Sequence, residues 1–113
     1  MLPKSQRLNL KKDFKWVTAG GKAVDTKFLK LFIIMGENTQ PRIGIALSSK
    51  NFKKATERNR AKRLTSAAFE PLYGDLPVNI NIVALPKTGI LGVKSGDVLM
   101  DLEDKLKNEK IIN

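Results

Sequence analysis

The chain has 113 residues, of which 21 are Lys or Arg and 11 are Asp or Glu, so its formal net charge is +10 at pH 7. It contains neither Cys nor His, which excludes disulfides, thiolate chemistry and the usual imidazole base or metal ligand. No apolar run approaches the ~20 residues of a membrane span and no signal-peptide core is visible, so we expect one soluble, cytoplasmic domain, residues 1–113, with no membrane partner.

The N-terminal part of the chain is basic and predicts a short helix. Residues 1–30 carry eight basic and two acidic residues. The spacing of Leu10, Phe14 and Val17 predicts an amphipathic helix from residue 9 or 10 to residue 19, ended by a Gly-Gly pair. Phe14 should be at least half buried on this apolar stripe, whereas Trp16 points elsewhere and is the freer candidate for stacking on a base.

Three strands are predicted after this helix. Residues 22–25 form a brief strand, residues 27–35 a well-buried one and residues 42–47 a third. A cluster of turn-forming residues at 36–41 separates the last two.

The most basic stretch of the chain follows, from Lys50 to Leu64. It holds seven basic residues against Glu57 alone and contains no Pro or Gly, so a helix is predicted over most of it, extending as far as residue 69. At about 100° per residue, Arg58, Asn59, Lys62 and Arg63 fall on one arc, with Arg60 at its boundary. Ala61, Leu64 and Ala68 fall on the opposite arc. The helix would therefore dock on a core with one face and present cations with the other.

The density of these cations favours phosphate binding over a merely solvated surface, which is the ordinary explanation of a basic helix face. Cations on adjacent turns repel one another, and a face made for solubility would relieve this with acids. Arg offers a planar fork suited to phosphate, and Asn can donate and accept at a base or sugar edge. The predicted polyanion-binding residues are Lys50, Lys53, Lys54, Arg58, Asn59, Arg60, Lys62 and Arg63.

The C-terminal part predicts one more strand and one more helix. Residues 78–85 alternate apolar and polar side chains, which is typical of a half-buried strand. A last helix is predicted from residue 95 or 97 to residue 110, with Leu99, Leu102 and Leu106 on one stripe. The order helix, three strands, helix, strand, helix predicts an α+β sandwich.

Two further patterns are not interpreted as functional sites. Residues 85–89 match the pentapeptide of cell-wall sorting signals, but the apolar tail that such a signal requires is missing. Asp97, Asp101 and Asp104 share one face of the last helix, which a solvated helix N-terminus explains without a metal. We therefore expect no catalytic residue, no metal site and no cofactor in the protein itself.

The middle of the chain resembles the protein component of bacterial ribonuclease P. The triplet Arg58-Asn59-Arg60, followed by Lys62-Arg63, matches the signature of that family, and the preceding Arg42-Ile43-Gly44-Ile45 and the segment 50–55 match as well. Supporting matches are Pro3, Arg7-Leu8, Asp13-Phe14, Gly21-Lys22 and Ile82-Val83-Ala84.

This resemblance implies an α-β-β-β-α-β-α fold with a left-handed βαβ crossover around the basic helix. It also implies a division of labour in which an RNA subunit with bound magnesium removes the 5′ leader of precursor tRNA. The protein would bind that RNA through the basic helix, and no DNA partner is expected. The leader would lie in a cleft between the first helix and the sheet, to which we assign Phe14, Trp16, Phe28 and Arg42.

The chain also departs from the family pattern. Ser66 and Glu70 stand where the family often has Arg, Thr18 stands where an aromatic residue often lines the leader cleft, and Leu85-Pro86 replace residues that are often basic. Two alternative functions remain. One is a ribosomal or other structural RNA-binding protein of similar fold, and the other, disfavoured, is an autonomous nuclease, which needs converging carboxylates.

Overall fold

The structure is a computed structural model that describes residues 2–112. Its elements follow the order helix, three strands, helix, strand, helix, which confirms the α+β prediction. They are α1 (Leu10–Gly20), β1 (Lys22–Asp25), β2 (Leu29–Met35), β3 (Arg42–Ile45), α2 (Ala55–Phe69), β4 (Ile80–Pro86) and α3 (Ser95–Asn108). Short 3₁₀ turns occupy Lys4–Gln6, Glu70–Asp75 and Thr88–Gly92. Within residues 2–112, no helix has the length and apolar character needed to cross a membrane.

The four strands form one sheet in the order β1-β2-β4-β3. β2 is antiparallel to both β1 and β4, whereas β3 and β4 are parallel neighbours. A parallel pair needs a crossover connection, and here that connection contains α2, so the basic helix lies within a β-α-β unit as expected. The N-terminal segment extends the sheet beyond β3, because the N–H of Leu8 donates to the carbonyl of Ile43 at 3.0 Å.

The sheet is covered on both faces, by α1 on one side and by α2 and α3 on the other. On the side of α2 and α3, strand residues such as Leu31 and Ile82 belong to the main core together with Phe69 and Leu102. On the side of α1, the fully buried Val17 packs against the sheet. Burying a side chain of this size contributes about 1.5–3 kcal/mol.

β4 is the central strand and is buried on both faces. Residues 80–84 are all buried. The prediction of a half-buried strand was wrong, because side-chain alternation within one strand does not reveal that α1 covers its second face. The buried Asn81 lies on that face, and its amide nitrogen donates to Oδ1 of Asn38 at 2.8 Å, so its burial leaves the amide donor satisfied.

α2 begins at Ala55 and ends at Phe69, so it covers most of the basic stretch, as predicted, but not its start. Phe52 is fully buried, so the chain around it turns towards the core. At the start of the helix, the N–H of Lys54 donates to Oε1 of Glu57 at 3.3 Å and caps the first turn. Three of the predicted polyanion-binding residues therefore lie exposed in the loop before the helix: Lys50, Lys53 and Lys54.

β2 begins at Leu29, two residues later than predicted, because α3 holds the preceding turn. The N–H groups of Lys27 and Phe28 donate to the two carboxylate oxygens of Asp101, each at 3.0 Å. Within the turn, the hydroxyl of Thr26 accepts the N–H of Leu29 at 2.9 Å. One carboxylate therefore ties α3 to the connection between the first two strands.

α3 ends in a tight C-terminal turn. The N–H of Ile111 donates to the carbonyl of Leu106 at 2.9 Å, and Lys110, in the left-handed region with φ 58°, donates to Lys107 at 3.0 Å. This pairing is a Schellman motif. The buried stripe of the helix consists of Val98, Leu102 and Leu106, so Val98 takes the core position predicted for the half-buried Leu99.

Candidate nucleic-acid interface

α2 separates its apolar and basic side chains, as its sequence predicted. The buried side consists of Ala61, Thr65, Ser66, Ala68 and Phe69. The outer side, which we call the α2 basic face, consists of Asn59, Arg60, Lys62 and Arg63, of which all but the half-exposed Lys62 are exposed. The docking of one side on the core thus fixes the direction in which the cations point.

Arg58 and Arg60 are partly engaged in contacts within the protein. Nη1 of Arg58 donates to the carbonyls of Phe52 at 2.8 Å and Lys53 at 3.1 Å, so this arginine closes the loop that enters α2. Arg60 makes longer contacts, from Nε to the Leu91 carbonyl at 3.3 Å and from Nη2 to the Val93 carbonyl at 3.4 Å. Sequence reasoning missed both roles, because their acceptors are backbone carbonyls that residue identity does not reveal.

The rest of the α2 basic face offers its polar groups outward. Across residues 2–112, neither Lys62 nor Arg63 forms an ion pair with an acid. The nearest acid on the helix, Glu57, caps its first turn. These unneutralised cations, one turn or less apart, create a positive surface suited to a row of phosphates.

Phe14 and Trp16, the two aromatic residues of α1 that were assigned to the cleft, project from opposite flanks of the helix. Residues two positions apart are separated by about 200° around a helix. Trp16 lies against the turn after β2: a methyl group on Gly36 would come within 3.0 Å of its Cη2 atom. It keeps 45% of its surface exposed, so it is the freer of the two aromatic side chains, as predicted, although one edge of its ring is held against this turn. Phe14 is 37% exposed, so it is more than half covered, as predicted, and the offset of about 200° directs it away from the Trp16 end of the sheet.

The other two residues assigned to the cleft lie elsewhere. Arg42, the exposed first residue of β3, pairs in register with Asn81 and therefore lies towards the Trp16 end of the sheet. Phe28 is buried in the main core on the opposite face, where the Asp101 carboxylate holds its backbone. The structure therefore does not place Phe28 in a cleft between α1 and the sheet, and the four residues do not form one group.

A different set of residues adjoins the Phe14 flank of α1. The register of β2 against β4 places Lys30 beside Leu85 and Phe32 beside Val83 on this face. Nζ of Lys30 lies 5.6 Å from the centroid of the Phe32 ring. A depression of about 360 Å³, which we call the sheet recess, is lined by Lys30, Asn51, Leu85, Pro86, Lys87 and Thr88. Sequence analysis missed the recess because it depends on strand order, which puts residues 30 and 85 side by side.

Two acids of α3 have structural roles, whereas Asp104 is exposed, as expected of a solvated face. Asp97 accepts the N–H of Lys94 at 3.1 Å at the helix start, and Asp101 holds the turn before β2. In the part of the chain that the structure describes, no three acids converge in a way that could hold a metal ion. The pKa of Glu109 is lowered, first by its hydrogen bond with Lys22 and then by the charge of that lysine.

Comparisons with known proteins show the family and the fold of this chain. The model of the Ribonuclease P family matches residues 2–110. A relative from a Pseudanabaena species, named "Ribonuclease P protein component", is 38% identical over 109 residues, which cover 96% of this chain and 90% of the relative. A protein of the same name from Chlamydia muridarum is 36% identical, with 93% and 90% covered. The solved structure of the RNase P protein from Thermotoga maritima has a TM-score of 0.79 at 28% identity, covering 90% of this chain and 96% of that one.

Proposed function

Because this chain belongs to the ribonuclease P protein family, we propose that it is the protein subunit of a ribonuclease P holoenzyme. In this function it binds the RNA subunit and the 5′ leader of precursor tRNA, and it assists the endonucleolytic removal of that leader. The observation that carries the proposal is the α2 basic face, which is held outward by a buried opposite side.

The RNA subunit would lie along α2. One amide and two cations would contact the RNA backbone, from Asn59, Lys62 and Arg63. Arg60 adds the guanidinium donors that its contacts with the loop carbonyls leave free. Arg has five donors in a rigid fork, so Arg63 can bind one phosphate in a bidentate manner. The loop residues Lys50, Lys53 and Lys54 extend the positive surface beyond the start of the helix.

The leader would lie on the Phe14 side of α1, over the sheet recess. Single-stranded nucleic acid is bound by aromatic or apolar platforms beside cations, because every base has a face that can stack. Phe14 and the half-buried Phe32 supply the platform, Lys30 supplies charge and Asn51 supplies an amide. Nζ of Lys87 already contacts the Thr26 carbonyl at 2.8 Å, so we assign it to the wall of the recess.

We assign the bond-breaking chemistry to the RNA subunit. The sequence has no His or Cys, and the described carboxylates offer no converging group of ligands. Magnesium in this holoenzyme would therefore belong to the RNA, and the protein would contribute binding and orientation. Precursor tRNA should be cut by the protein and RNA together at low magnesium and by neither alone. Correct cleavage by the RNA-free protein would contradict this assignment.

The binding surface is tested by the salt dependence of RNA-subunit affinity. Arg63→Gln and Lys62→Gln should each weaken binding and lower the slope of log K against log salt by about 0.7–0.9, the value of one lost phosphate contact. Lys107→Gln on α3 is the matched control, because this lysine is also exposed on a helix but lies on another surface. If all three variants kept the wild-type affinity and slope, the α2 basic face would not be the RNA site.

A further inference from the structure

A cavity of about 80 Å³ lies between the N-terminal segment, β3 and α2. Its floor is apolar and includes Leu8, Ile43 and Ile45, of which the first two are buried. The N-terminal segment forms one wall because residues 7 and 8 continue the sheet beyond β3. The other wall is α2, at Lys62 and Ser66.

The position of Lys62 connects this cavity to the α2 basic face. Lys62 and Ser66 are one helical turn apart, so the cavity adjoins the row formed by Asn59, Lys62 and Arg63. Arg7 lines the cavity from the N-terminal side, and its Nε donates to the Leu2 carbonyl at 2.8 Å, which leaves four guanidinium donors. Two cations from different elements therefore flank a small apolar space.

This combination has the chemistry of a single nucleotide. A nucleobase is a flat ring with apolar faces, and it carries an anionic phosphate a few bonds away. A purely apolar ligand would not need Arg7 and Lys62, and a free phosphate would not need the apolar floor. The volume is several times the roughly 10–15 Å³ that a cavity needs to hold one water, so a ring edge can enter.

We propose that this cavity is a base pocket, into which the bound RNA inserts one unstacked nucleobase while Lys62 and Arg7 hold the adjoining phosphate. The proposal rests on the proposed function, because the RNA backbone must follow α2 for a base to reach the pocket. Recognition in this form adds to phosphate binding, since it requires a nucleotide that the RNA can turn out of its helix.

The first experiment fills the pocket. Ser66→Leu places a larger side chain in the cavity wall, and Ala67→Leu adds the same side chain at the neighbouring exposed position as a control. Ser66→Leu should lower RNA-subunit affinity about tenfold, the effect of losing roughly 60 Å² of buried apolar surface at about 25 cal/mol per Å². The salt slope should stay at the wild-type value because no phosphate contact is removed. Circular dichroism and thermal melting check that both variants are folded.

The second experiment uses the wild-type protein, so it holds even if the filled variant does not fold. Uridine 5′-monophosphate is titrated while the methyl NMR signals of Leu8, Ile43 and Ile45 are recorded, and ribose 5-phosphate serves as the ligand without a base. The nucleotide should shift these methyl signals and ribose 5-phosphate should not.

The outcomes separate the two proposals. Equal shifts with both ligands, or none at millimolar nucleotide, would overturn the base pocket, as would equal RNA affinity of Ser66→Leu and Ala67→Leu. Failure of the wild-type protein to bind the RNA subunit would instead overturn the proposed function.

Discussion

The two consecutive glycines at the end of α1 should respond very differently to the same substitution. A Cβ atom on Gly21 would lie 2.4 Å from the carbonyl oxygen of Val17 and 3.0 Å from that of Ile33. Both are backbone atoms, and the Val17 oxygen accepts the N–H of Gly21 itself at 2.8 Å. With φ at −85°, Gly21 is not required by its backbone conformation, so the requirement is one of space alone.

Gly21→Ala must therefore move the end of α1 away from the sheet. Overpacking of a fitted site typically costs 1–3 kcal/mol, and we expect about 3 kcal/mol here because neither clashing oxygen is on a side chain that can rotate away. A Cβ atom on Gly20 meets only Cδ1 of Ile34, at 3.2 Å, which is the flexible end of a side chain. Ala is also the better helix former, by up to about 1 kcal/mol, so Gly20→Ala should be nearly neutral.

Urea unfolding followed by circular dichroism measures this difference directly. At roughly 2.1 cal/mol/K per residue, the unfolding entropy of a chain this long is about 240 cal/mol/K, so 3 kcal/mol corresponds to a melting temperature lower by about 13 °C. The slope of the unfolding free energy against urea should be the same for both variants. Free energies of unfolding within about 0.5 kcal/mol of each other would refute the steric argument for Gly21.

Three further substitutions test other contacts. Asp101→Ala removes two hydrogen bonds between a carboxylate and backbone N–H groups, so it should lower the free energy of unfolding in urea by about 2–3 kcal/mol. Asp104→Ala, on the exposed side of α3, should change this free energy little, and equal losses in the two variants would contradict the role of Asp101. Lys110→Gly should stabilise the protein by about 0.5–1 kcal/mol, because glycine adopts the left-handed conformation without a penalty, and a lowered melting temperature would oppose this. Burial raises the pKa of Tyr73 against the opposing charge of Arg42, and its hydroxyl donates to the Pro41 carbonyl at 2.7 Å. The folded state thus retains the Tyr73 proton more strongly than the unfolded chain does. The resulting contribution to the free energy of unfolding is present below about pH 10 and is lost as pH rises through the folded pKa. Tyr73→Phe should lack this alkaline loss of stability, and identical profiles of unfolding free energy against pH for the two proteins would exclude it.

Periodicity was sufficient to predict the two-sided character of α2. Small and apolar residues such as Ala61 and Ala68 recur on one arc and cations such as Arg63 on the other, and the helix period alone assigns them to core and solvent. The same method did not determine where the helix begins. The start of α2 depends on the burial of Phe52, which is a property of the whole core and not of the local pattern.

The candidate leader site was less predictable, because it depends on long-range order. Phe28 has an aromatic side chain of the kind expected in a leader cleft. However, the carboxylate of Asp101, 73 positions later, holds the turn at Phe28 on the sheet face opposite α1. Lys30 and Leu85 became neighbours only through the pairing of β2 with β4. Neither relationship leaves a local periodic signal, so residue spacing cannot reveal it.

The position of β4 in the middle of the sheet has a consequence for the protein during its synthesis. Its neighbours β2 and β3 both leave the ribosome first, but they are not paired with each other and must wait for residues 80–86. Until then α1 lacks its central packing surface and the basic helix lacks the second strand of its crossover. The nascent chain therefore exposes its cations and apolar strands together until the late, non-local pairing of β4 joins the strands into one sheet. Both candidate RNA surfaces are thus completed only when this last strand arrives.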